Sequence, residues 1–105
     1  MNINATKIFV WIVVAASLGS IARAADADHG ELVAKRWCAA CHIVAADQKQ
    51  GADNVPSFAS VAKRPDFSAA KLALFLLDPH PKMPNMALTR RDAEDIAAYI
   101  TRLGN

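Results

Sequence analysis

Five consecutive residues, Cys38-Ala39-Ala40-Cys41-His42, constrain this chain more than any other feature of it. With 2 cysteines and 3 histidines in 105 residues, a C-x-x-C-H run arises by chance in about one such chain in a thousand. The spacing has a chemical reason. Two thiols three positions apart at a helix end reach the two vinyl groups on one side of a porphyrin and form thioethers, and the adjacent histidine points its imidazole at the iron. Other readings fit less well. A disulfide across so short a loop would restrict the unfolded chain very little and would leave His42 without a role. A thioredoxin-like redox pair needs a βαβ setting, which the helical pattern described below denies. Zinc needs four ligands, and the histidines lack the finger spacing. The motif therefore predicts one covalently attached haem (heme c) with its iron, and a chain that closes around it.

Composition shows why the fold would depend on such a group. Residues 1–24 hold 16 of the 56 apolar residues; the other 81 residues carry 40, of which 17 are alanine, so only 23 larger apolar side chains remain. That is one small domain, residues 25–105, which excludes a multidomain enzyme or a repeat array. A domain this short ordinarily needs a disulfide set, a metal or a cofactor to be secure.

Residues 1–24 read as a cleavable secretory signal peptide. Lys7 lies in a short polar start, an apolar run follows, and Ala22-Arg23-Ala24 puts small residues at the two positions a signal peptidase inspects. Cleavage is expected between Ala24 and Ala25. The alternative is an uncleaved anchor, but the uninterrupted run from Ile8 to Ala16 is well short of the roughly 18 residues a span needs. No second stretch would cross a bilayer. Losing Lys7 and Arg23 takes the 12 basic residues to 10, against 10 acidic ones, so the formal charge of +2 disappears. A nucleic-acid surface, which needs a clustered basic excess, is excluded.

The rest of the chain is helical in pattern. Asp28 with Glu31 three residues on resembles a capping box, and the spacing of Leu32, Val33, Arg36 and Trp37 predicts a helix from about His29 to Ala40. The stretch 46–54, with Gly51 inside it, has no period and reads as a loop. Pro56 suits a first helical turn, with a short helix over Ser57 to Ala62. Ser68 is placed to cap Ala69 to Leu77. Pro79, Pro81 and Pro84 make 78–85 a stiff, extended loop. Thr89, with Asp92 three residues on, opens a last helix whose Ile96, Tyr99, Ile100 and Leu103 form one stripe and which Gly104 is placed to end. No segment alternates as a strand does, and the expected class is all-α.

In this order the motifs resemble the small class I cytochromes c of bacterial periplasms. Gly30, Trp37-Cys38-Ala39-Ala40-Cys41-His42, Pro56-Ser57-Phe58, Pro81-Lys82-Met83-Pro84-Asn85 and Ala97-Ala98-Tyr99-Ile100 carry the resemblance, across essentially all of 25–105. It implies a cytochrome c-like fold, with N- and C-terminal helices crossing and short middle helices around a covalently bound haem. By the same resemblance the Pro56 carbonyl would accept a hydrogen bond from His42, leaving Nε2 for iron, and Gly30 would let Tyr99 pack close. Position 34 is alanine where many relatives carry a larger apolar residue, so Leu32, Val33 and Trp37 are expected to pack the crossing instead.

The second axial ligand has three candidates, Met83, Met86 and His80. Met83 is flanked by proline on a stiff loop, which lowers the cost of holding its sulfur, and it matches the family's Met-Pro position. Met86 is the weaker methionine candidate, and His80 reads as an exposed loop histidine. His29 is given no role beyond the first helical turn. Phe58, Phe67, Phe75, Leu72 and Leu76 are expected to line the haem pocket.

A closed, methionine-ligated iron suits electron transfer rather than catalysis. The expected function is a periplasmic one-electron carrier with redox-protein partners, Lys82, Arg90 and Arg91 giving a mild positive rim. The alternative is the small haem subunit of a periplasmic dehydrogenase or oxidase complex. An enzyme would need an open sixth position and a distal acid or base, and is not expected.

Overall fold

A computed structural model describes residues 23–79 and 82–105. The signal-peptide reading of 1–24 therefore lies almost wholly outside the described residues, as do His80 and Pro81. The described residues form four helices and no strand: α1 (Ala27–Trp37), α2 (Phe58–Ala62), α3 (Ala69–Leu77) and α4 (Arg90–Leu103). None is long and apolar enough to cross a membrane.

Side-chain caps set the starts. Ser57 and Ser68 cap α2 and α3 by accepting from the amides of Ser60 and Lys71, and Thr89 and Asp92 form a reciprocal capping box on α4. Pro56 therefore precedes α2 instead of lying in its first turn. At α1 the expectation is corrected by two residues. Asp26, not Asp28, is the cap, accepting from the amides of Asp28 and His29 at 3.0 and 3.1 Å. The carboxylate of Asp28 is engaged elsewhere, by Arg102 at 2.7 Å. At the other end α1 stops at Trp37, short of the expected Ala40.

α4 is the spine, and α1, α2 and α3 all pack on it. Its crossing with α1 is very close. A Cβ on Gly30 would collide with the Asp95 carbonyl and lie 2.8 Å from the Ile96 nitrogen. The backbone that approaches Gly30 is thus one turn ahead of Tyr99, the residue expected there. Ala34, Ala93 and Ala97 are fully buried beside it, so the crossing works through small side chains and a larger residue at 34 has no space to fill. Leu32 is 68% exposed and Trp37 46% exposed, and neither packs the crossing. Two positions from Gly30 along a helix lies the opposite face. Trp37 shares the stripe but ends the helix about two turns beyond the contact, where the Arg36 guanidinium covers its ring at 5.0 Å. Val33, as expected, packs against the core.

Polar contacts lock the same crossing. Asp95 is buried, and its carboxylate accepts from the Asp26 amide and from His29 Nδ1, each at 2.7 Å. His29 thus bridges α1 to α4, a role its position in the sequence did not suggest. At the far end Arg102 binds Asp28 and Glu31. Gly104 ends α4 in a right-handed conformation; it is small because a Cβ there would lie 3.2 Å from Ala62 of α2.

Candidate haem-binding site

The site begins where α1 runs out. After Trp37 the chain tightens into a turn in which the amides of Cys41 and His42 both reach the Cys38 carbonyl, at 3.2 and 2.9 Å. This turn keeps the two cysteines on one short piece of backbone and brings His42 directly after them. Cys38 is buried and Cys41 exposed, and both thiols are free. Burial pushes the Cys38 thiol up to about 11, because a thiolate there would lose its hydration.

The His42 ring is held from the side. A carbonyl only accepts, so the 2.7 Å contact between Nδ1 and the Pro56 oxygen places the proton on Nδ1 and leaves the Nε2 lone pair for a metal. Phe58 follows from the same segment and sets its ring 5.2 Å from the imidazole, tilted by 50°. The loop 46–54 folds back on the motif: the Ala52 amide donates to the Cys41 carbonyl at 2.8 Å, and a Cβ on Gly51 would come within 2.9 Å of that oxygen. A glycine that looked incidental is thus needed for close approach.

Two thiols in one turn, an imidazole with Nδ1 committed to a carbonyl and its Nε2 lone pair available, and neighbouring aromatic and aliphatic side chains fit a covalently held haem. Met83 is half-buried and packs against the core; Met86 is half-buried on the same loop. Of the expected pocket residues, Phe58 and Leu76 are buried and Phe67 and Leu72 pack against the core. Phe75 is 43% exposed, since α3 turns Ala73 and Leu76 inward and leaves position 75 at the surface. A groove of about 430 Å³ between α3 and α4, lined by Ala69, Ala73, Leu74, Ala97 and Ala98 among others, touches neither the motif nor Met83. The positive rim is divided. Arg91 turns toward Asp95, 3.9 Å away, while Arg90 lines that groove; Lys82 is exposed.

Gln48 has no counterpart in the sequence reading. Its side-chain amide donates to the carbonyls of Ala39, His42 and Gln50, at 3.0, 2.7 and 2.9 Å, and accepts from the Val44 amide at 2.9 Å. It lies in an aperiodic loop, where hydrophobic spacing gives no signal.

A family model described as "Cytochrome C oxidase, cbb3-type, subunit III" matches residues 25–100. The chain is also 62% identical, over 92 residues, to "Cytochrome c-552" of Bradyrhizobium diazoefficiens, a match covering 88% of each chain. No solved structure gives a significant match.

Proposed function

The chain belongs to the cytochrome c family, and from that premise we propose that it is a periplasmic, non-enzymatic carrier of single electrons whose haem iron is ligated by His42 and Met83. Haem c supplies reversible one-electron chemistry at its iron. The protein's part is to hold and shield it. Cys38 and Cys41 anchor it through thioethers. His42 presents Nε2 because the Pro56 carbonyl occupies Nδ1, and that hydrogen bond is the observation that carries the reading, since it fixes the tautomer a proximal ligand needs. Met83, which packs against the core from a proline-stiffened loop, would supply the second ligand and so leave no open position at the iron for a substrate. Met86 is the weaker alternative, being nearer α4 and not flanked by proline.

Residues 1–24 are a leader cleaved before Ala25, and 25–105 are the working domain. The apolar run and the small residues at 22 and 24 support this, as does a family match that begins at residue 25. Partners are redox proteins, one donor and one acceptor.

The assignment is tested by the far-red absorption band of methionine-ligated ferric haem. Met83→Ala should abolish the band and lower the potential, whereas Met86→Ala should keep both. An unchanged spectrum in Met83→Ala would show that the ligand is another residue.

A second reading, a haem subunit within a larger complex, is favoured by the description of the matching family as an oxidase subunit. Native protein from the periplasm should elute at its own small mass if it is a free carrier. Co-elution with a larger dehydrogenase or oxidase would reverse the order of the two readings.

A further inference from the structure

Immediately after the thiol turn the backbone is held at every carbonyl from Cys41 to Val44, each by a different donor. The Ala52 amide takes Cys41 at 2.8 Å, the Phe58 amide takes Ile43 at 3.0 Å, and the Tyr99 hydroxyl takes Val44. The carbonyl of His42 itself is held by the side-chain amide of Gln48, at 2.7 Å. The same primary amide reaches back to Ala39, inside the motif, and forward to the Val44 amide. It therefore spans the backbone on both sides of the histidine. Its orientation is settled by its partners: exchanging nitrogen and oxygen would face the oxygen with three carbonyls and the nitrogen with an N–H. Two hydrogens serve three acceptors, so one is shared, and the oxygen takes the Val44 amide.

We propose that Gln48 is the positioning residue of the proximal ligand: by fixing the peptide planes around His42 it sets the direction of Nε2 and keeps Nδ1 on the Pro56 carbonyl. The inference rests on the reading of His42 as an iron ligand. Its consequence is electronic as well as mechanical. A firm hydrogen bond from Nδ1 makes the imidazole a stronger donor, which favours the ferric state, so loosening it raises the reduction potential. A residue that merely staples a loop would change stability alone.

The test uses the holoprotein with Gln48→Leu, which keeps bulk but removes every hydrogen bond, beside Ser68→Ala, which weakens the remote α3 cap. In Gln48→Leu the potential should shift upward, the hyperfine-shifted His42 ring resonances should move, and the Nδ1 proton should exchange with water several-fold faster. In Ser68→Ala only the melting temperature should fall. A potential in Gln48→Leu that is unchanged or lower, with unmoved ring resonances, overturns the proposal. If the variant does not mature with haem, the native holoprotein still decides the matter: the Gln48 amide protons should be as protected from exchange as the His42 Nδ1 proton, and free exchange of the former overturns the proposal. Failure of the underlying reading looks different, since His42→Ala would then retain the native low-spin spectrum.

Discussion

At the scale of single residues, the two cysteines of the motif differ more than their shared task suggests. Burial favours the neutral thiol of Cys38, so the closed chain holds that proton up to about 11, while in an open chain the thiol ionises near its ordinary 9.0. The closed form therefore loses stability as pH rises across that window. Near neutrality a closed chain would offer an unreactive Cys38 beside a reactive, exposed Cys41. Haem attachment at both sulfurs is then expected before the fold closes. Alkylation of the haem-free chain at pH 8 should modify Cys38 and Cys41 at similar rates, and modification of Cys41 alone would show that the chain closes without haem. The motif itself was legible, because C-x-x-C-H encodes its chemistry in spacing. Gln48 and the His29–Asp95 pair were not. Gln48 acts from an aperiodic loop, and His29 meets Asp95 across a separation of 66 residues.

At the scale of elements, the close passage of α1 over α4 depends on Gly30. Its missing side chain is replaced by the Asp95 carbonyl, so the obstacle to any Cβ is backbone, which cannot rotate away as a side chain can. Gly30→Ala should cost on the order of 3 kcal/mol, at the upper end for overpacking, read as a lower midpoint in denaturant with little change in slope. Full stability in that variant would mean that the helices cross elsewhere. The starts of α3 and α4 could be read from Ser68 and Thr89, whose hydroxyls act within three residues along the chain. The start of α1 could not. Asp28 matched the capping-box spacing, but Arg102 takes its carboxylate from 74 residues away, and Asp26 caps the helix instead. Likewise Leu32 and Trp37 looked like packing residues until the crossing proved too close to need them.

At the scale of the whole molecule, four of the eleven buried apolar residues among those described are alanines, Ala34, Ala73, Ala93 and Ala97, so the helices close on one another more than they enclose a filled interior. On the proposed attachment, a haem fixed by two thioethers and two axial bonds would supply the rigid apolar plate that so thin a core lacks. Cys38→Ala combined with Cys41→Ala should accordingly leave the domain colourless and largely unfolded by far-ultraviolet circular dichroism, whereas a well-folded apoprotein would assign the haem a smaller structural share. The electron-carrying role and the closed iron stand or fall together, and spectroelectrochemical titration of the purified holoprotein examines both. A single one-electron wave, low-spin haem in both oxidation states, and no binding of carbon monoxide by the ferrous form are expected. A high-spin ferric spectrum with ready binding of carbon monoxide after reduction would contradict it, because such an iron has an open position and reacts with what reaches it.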